Sequence, residues 1–124
     1  MTTLVIPDLA GKAVLVTGAS TGIGASLARA YAAQKCRVAL HYNSSHEAAE
    51  KLGRTIRDSG GEIFLTQGDF SKPADVERVV EESAEHFGRL DGLVNNAGGM
   101  LGRVAYADQT EAHYDAVMDL NARS

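Results

Sequence analysis

The chain has 124 residues, 44% hydrophobic and 23% charged, with a formal net charge of −4 at pH 7. That length suits one domain with a proper core and hardly two, and the composition is that of an ordinary globular protein. The acidic balance gives no basic footprint for nucleic acid, no apolar stretch reaches the length of a membrane span, and Met1-Thr2-Thr3-Leu4 lacks the charged head of a signal peptide. The single cysteine, Cys36, forms no internal disulfide; it reads as a small buried filler and suits a cytoplasmic, reducing location.

Residues 13–16 are a short continuous apolar run, the pattern of a strand covered on both faces. The run breaks at Thr17-Gly18-Ala19-Ser20-Thr21-Gly22-Ile23-Gly24. From there Ile23, Leu27, Ala30, Tyr31 and Ala33 follow helical spacing, with Arg29 and Lys35 toward water. Glycines in the turn let the backbone bend, bring main-chain N–H groups close to a ligand and let the helix lie on the strand. A helix start supplies unsatisfied donors and partial positive charge, so a diphosphate is its natural guest.

A second strand is predicted over 37–42. Ser44-Ser45-His46-Glu47 has capping-box spacing, and Ala48, Ala49, Leu52 and Ile56 form the stripe of a helix ended by Gly60-Gly61. A third strand covers 62–66. Ser71 is expected to cap the next helix, with Pro73 in its first turn, a stripe of Val76, Val79, Val80, Ala84 and Phe87, and Gly88 as its stop. Residues 90–94 form a fourth strand, and a loop leads to a last helix starting near Thr110. No composition break or linker interrupts residues 1–124, so the chain reads as one α/β domain: a Rossmann-type, doubly wound parallel sheet ordered 3-2-1-4, with its ligand crevice between strands 1 and 4.

Asn95-Asn96-Ala97-Gly98 directly follows the apolar Leu93-Val94. Two amides, a small residue and a glycine at a strand's C-terminal edge can brace neighbouring strands and leave room for a ribose. Taken together, Thr-Gly-x-x-x-Gly-x-Gly at 17–24 and Asn-Asn-Ala-Gly at 95–98 resemble the short-chain dehydrogenase/reductase family in its classical type. The resemblance spans nearly all of this chain and about the first half of a family member.

It implies an oxidoreductase that interconverts a carbonyl and a secondary alcohol by hydride transfer, acting on a small molecule and usually as a homo-oligomer. The implied cofactor contacts are Gly18, Ser20, Thr21, Gly22, Ile23 and Gly24 on the turn, and Asn96, Ala97 and Gly98 after the fourth strand. Asp69 matches the aspartate that accepts a hydrogen bond from the adenine amino group, with Phe70 beside it; a helix-start carboxylate complementing the dipole is the other reading. Asn121 matches the asparagine that holds a water feeding a proton relay, its sole implied catalytic residue here. Tyr114, Val117, Met118 and Asn121 share one helical face, which predicts that this amide points inward; fixing the helix geometry is its alternative role.

The end of the second strand bears on which dinucleotide is bound. An acidic residue there suits NAD and repels a 2′-phosphate, but the position 24 residues past Gly18 is Tyr42, followed by Asn43, Ser44 and Ser45. Donors at a helix start favour an anion. This resembles NADP-preferring members, with Tyr42, Asn43 and Ser44 at the cofactor, and NADP(H) is expected over NAD(H). Ser44 reads equally well as a helix cap. Many NADP-binding relatives carry Arg or Lys just before the second motif glycine, where this chain has Thr21.

The family's catalytic serine, and its tyrosine with a lysine four residues later, are not in these 124 residues. A literal Tyr31-x-x-x-Lys35 lies on the first helix, where Tyr31 belongs to the packing stripe and Lys35 stands where relatives often have a helix-ending glycine. His41, His46, His86 and His113 have no metal-ligand spacing and read as ordinary surface or strand-end residues. Residues 99–103 read either as a border of the substrate pocket or as a plain surface loop. The expectation is a chain truncated before the catalytic half; a dinucleotide-binding or sensing module that ends near residue 124 is the rival, and the mass of the intact protein separates them.

Overall fold

In the computed structural model, residues 4–98 and 104–123 are described, so the predicted pocket border at 99–103 lies outside the described residues. After a 3-10 turn at Pro7–Leu9 come β1 (Ala13–Val16), α1 (Gly22–Ala33), β2 (Arg37–Tyr42), α2 (His46–Asp58), β3 (Glu62–Gln67), α3 (Pro73–Phe87), β4 (Gly92–Val94) and α4 (Glu111–Met118). The strands form one parallel sheet, as the alternation of strand and helix patterns predicts, and its order β3-β2-β1-β4 is the expected doubly wound one.

Strand alternation divides the core. Val14, Val16, Val38 and Leu40 point to one face, where Ala25 and Ala28 of α1 and Leu52 and Ile56 of α2 cover them. Ala13, Leu15 and Ala39 point to the other, against Val79 and Phe87 of α3. All four residues of β1 are buried because the strand is flanked on both sides and covered on both faces. Cys36 is a buried filler whose thiol donates to Leu9 O at 3.3 Å; burial, helped by Asp91, pushes its pKa up.

Several local expectations need correction. The buried face of α1 is Gly24, Ala25 and Ala28, whereas Ile23 is 73% exposed and Ala30 is also exposed. Small residues are what let this helix lie close to β1, and Ile23 stands on the first turn at the open C-terminal edge of the sheet. The predicted capping box does not form: α2 begins after Ser45 with no side-chain cap, and Ser44 contributes only its carbonyl, to His46 N–H at 2.9 Å. Ser71 does not cap α3, whose cap position is Lys72; its hydroxyl instead donates to Asp69 Oδ1 at 2.7 Å. Thr110 does cap α4, accepting from His113 N–H at 3.1 Å.

Past Met118 the helix widens into a π-helical turn, Asp119–Arg123, and Leu120 packs on the second core cluster. The face carrying Tyr114, Val117, Met118 and Asn121 is not buried as predicted: Tyr114 and Met118 are exposed, and α4 contains no buried residue. Helical spacing identifies a shared face, but burial also requires an element packed closely on it, and the main contacts of α4 among the described residues are with the π-helical turn that continues it.

Candidate cofactor site

The site lies where β1 and β4 end side by side. Thr17, 2% exposed, is the knot between them. Its N–H and hydroxyl donate to Val94 O at 3.1 and 3.2 Å, and its Oγ1 accepts from the N–H groups of Asn96 and Ala97, both at 2.9 Å. The Asn96 amide donates to Thr17 O at 3.2 Å and Gly18 O at 3.0 Å, the bracing read from its place at a strand end. Two strand ends are thereby joined through one hydroxyl and one carboxamide.

The glycines of the turn follow from this closeness. Gly18 has φ +59°, and a Cβ on it would stand 2.9 Å from Ala97 Cα. A Cβ on Gly24 would come within 2.4 Å of Gly18 O and 2.5 Å of Asn96 Nδ2, so helix, turn and β4 could not meet there with any side chain present. Gly22, at φ +60°, faces open space and is exposed.

Beyond the turn, α1 begins in a form suited to an anion. Its cap residue Thr21 makes no side-chain cap bond, and no acidic residue lies in the first turn. The first tie back across the helix start is Ala25 N–H to Thr21 O at 3.2 Å. The N–H groups of Gly22, Ile23 and Gly24 are those a helix start leaves without an intrahelical acceptor. Exposed Thr21, Gly22 and Ile23 and half-buried Ser20 surround this end, with Ala97 and Gly98 across the cleft. Turn, helix start and 96–98 thus converge as the two motifs imply, and their donor set fits a diphosphate.

The residues expected on the adenine side lie at the ends of β2 and β3. Asp69 Oδ1 accepts from the Ser71 hydroxyl and N–H, which hold its pKa below the usual carboxylate range, and Asp69 N–H donates to Asp75 at 2.8 Å. Phe70 is buried and stacks on His41, with centroids 3.8 Å apart. At the end of β2, Tyr42 is buried and shares a 2.8 Å hydrogen bond with His46 Nδ1, whose Nε2 lies 3.3 Å from Glu50. Asn43 and Ser44 are exposed, and the Asn43 carbonyl accepts from Gln67 at 3.2 Å. Asn121 lies over Gly98, where a Cβ would meet its Oδ1 at 2.2 Å, and its Nδ2 donates to Val117 O at 2.8 Å.

The short chain dehydrogenase family model matches residues 12–124. The chain belongs to the short-chain dehydrogenase family. An uncharacterised oxidoreductase of Methylorubrum extorquens is 40% identical over 113 residues, which are 91% of this chain and 45% of that protein. A short-chain dehydrogenase of Burkholderia cenocepacia solved with NADP superposes with TM-score 0.88 at 40% identity, covering 93% of this chain and 46% of that one. An NADH-dependent reductase solved with NAD gives TM-score 0.86 at 37% identity, covering 94% and 48%. This short-chain dehydrogenase sequence therefore spans a little under half the length of the relatives it matches.

Two residues that organise the site are absent from the sequence expectations. Thr17 is visible only as the first letter of the glycine motif. His41 reads in sequence as an ordinary surface or strand-end histidine, yet it is 2% exposed. The signal was its place in β2: a histidine inside a strand covered on both faces must find partners for its ring nitrogens. The Tyr31-x-x-x-Lys35 pair behaves as expected of a decoy, with Tyr31 packed on the core and Lys35 exposed beyond the helix.

Proposed function

We propose that the protein carrying this chain is an NADP(H)-dependent oxidoreductase interconverting a carbonyl and a secondary alcohol, and that these residues form its dinucleotide-binding half. The observation that carries the reading is the uncapped, acid-free start of α1 tied through Gly18, Thr17 and Asn96 to the end of β4. When bound, the cofactor supplies the hydride. The chain's own part is to hold the diphosphate on the N–H groups of 22–24 and to present the small residues Ala97 and Gly98 toward the ribose.

Asp69, with one carboxylate oxygen fixed by Ser71, is the acceptor for an adenine amino group, and Phe70 acts beneath it as a buried support. Asn121, placed against Gly98 at a π-helical turn, is the residue assigned to the proton relay. Support for NADP comes from the end of β2, where Asn43, Ser44 and Ser45 are exposed before α2 and no carboxylate stands at 42–45. One solved neighbour binds NADP and another NAD, so kinship favours neither. The substrate is taken to be a small molecule, the assembly a homo-oligomer and the location cytoplasmic; among the described residues no helix is long and apolar enough to cross a membrane.

Calorimetric titration with NADP⁺ and NAD⁺ tests the cofactor reading. Tighter binding of NADP⁺ is expected; tighter NAD⁺ binding overturns the preference, and binding of neither overturns the site.

A further inference from the structure

His41 ties together two segments assigned to opposite ends of the dinucleotide. Its Nδ1 accepts from Gly18 N–H at 3.0 Å, on the phosphate turn, and its Nε2 is 2.8 Å from Gly68 O, at the start of the adenine-side loop. Its own carbonyl accepts from Ala19 N–H at 2.8 Å, so ring and main chain both hold the turn. Phe70 stacks flat on the ring, at an interplanar angle of 17°.

The partners dictate the tautomer. A peptide N–H can only donate, so Nδ1 must be bare; a carbonyl can only accept, so Nε2 must carry the hydrogen. A second proton would set Nδ1–H against Gly18 N–H. Burial pushes the ring's pKa below the ordinary histidine value; the Gly68 carbonyl opposes that shift and Arg78 adds to it. The charge that reaches the ring is Arg78, with Asp75 at 3.7 Å and Glu82 at 3.3 Å beside it on α3, and Asp69, with Lys72 near it, lies on the following loop. Gly18 and Ala19, on the turn, carry no titratable side chain.

We propose that His41 is a positioning residue for the dinucleotide: its neutral, Nε2-protonated ring fixes the phosphate turn against the Gly68-Asp69-Phe70 loop, and a proton on Nδ1 releases the turn. The proposal rests on the cofactor reading above. His41 touches no ligand itself; it acts through the Gly18 peptide and Phe70.

The test is calorimetric titration of the protein carrying this chain, and of its His41→Leu and His41→Asn variants, with NAD⁺ and NADP⁺ on both sides of neutrality. NAD⁺ is the reference for pH, because its diphosphate does not titrate in that range. His41→Leu removes both ring bonds and should weaken both dinucleotides by about tenfold, since they share the diphosphate and the adenine. His41→Asn keeps an acceptor for Gly18 N–H and should remain within about threefold of the parent at neutral pH. Parent affinity for NAD⁺ should fall on the acid side, below the ordinary histidine range, and the Asn variant should lack that fall. Ring ¹⁵N shifts should report the Nε2–H tautomer.

Unchanged affinity in His41→Leu, even with a lowered melting temperature, reduces His41 to a structural residue and overturns the proposal. An Nδ1–H tautomer, or identical pH profiles for the parent and the Asn variant, overturns it as well. Binding of neither dinucleotide by the parent protein removes the cofactor reading and this proposal with it, a result distinct from any of the variant outcomes.

Discussion

The two sides of β1 are held by different forces. Toward β2 the sheet is apolar and closed: five of the six β2 residues are buried, and α1, α2 and α3 cover its faces. Toward β4 it is joined by polar bonds: the middle residue of that strand, Leu93, is 53% exposed, and the joint depends on Thr17, Asn96 and the Asp91 carboxylate, which accepts from Ala13 N–H at 2.9 Å. The apolar side supplies stability. The polar side places N–H groups and glycines where a ligand can reach them, and a hydrogen bond holds a turn to a narrower geometry than apolar contact does.

The comparison is sharpened most by truncating a leucine on each side. In the 124-residue chain by itself, Leu40→Ala, in the closed half, should cost about 2–5 kcal/mol, whereas Leu93→Ala, at the exposed strand, should stay within about 0.5 kcal/mol; urea unfolding measures both, and equal losses would break the contrast. Next in size is Thr17→Val, which keeps the shape but removes the acceptor for two main-chain N–H groups. It should cost about 2 kcal/mol, with amide exchange rising at Asn96 and Ala97 before the rest of the sheet.

A smaller effect of opposite sign is expected at Lys35. Its φ of +68° puts a side chain in the left-handed region, just past the end of α1. Lys35→Gly should relieve about 1–2 kcal/mol of strain and lose about 0.5–1 kcal/mol through the freer unfolded chain, for a net gain of about 0.5 kcal/mol in thermal unfolding. The smallest effect belongs to Asp91, whose pKa is held down by Ala13 N–H and then by Arg89. A depressed carboxylate gives stability that is present above its unfolded pKa and lost as pH falls through the folded value. Asp91→Asn should therefore flatten the acid limb of the stability profile by lowering stability slightly at neutral pH and leaving the acid side little changed; urea unfolding across pH measures it.

The closed half was legible from sequence because continuous apolar runs and helical stripes state burial directly: β1 and β2 fall at 13–16 and 37–42 as predicted, the alternation implies the parallel sheet, and its order is that of the doubly wound fold. Ile23 misled because a helical period does not say where a helix overhangs its sheet. Ser44 and Ser71 misled because cap spacing is met by any suitable pair of side chains, while local bonds to Asp69 or a carbonyl compete for the same groups. Of the site, the motif residues were legible and the connections between them were not. Thr17 and His41 act through partners 79 and 27 residues away, at Asn96 and Gly68, which no local pattern encodes.

The account's central claim is that the glycine turn and residues 96–98 form one cofactor cradle. Among the hollows of the described residues that lie elsewhere are one of about 220 Å³ beside Arg29, Lys35 and Ser59 and one of about 380 Å³ beside Leu9, Tyr31 and Leu93. Backbone amide NMR of the ¹⁵N-labelled protein during NADP⁺ addition separates these places in one experiment. The account predicts the largest shifts at Gly22, Ile23, Gly24, Ala97 and Gly98; shifts centred on Arg29, Lys35 and Ser59, with the turn unmoved, would contradict it.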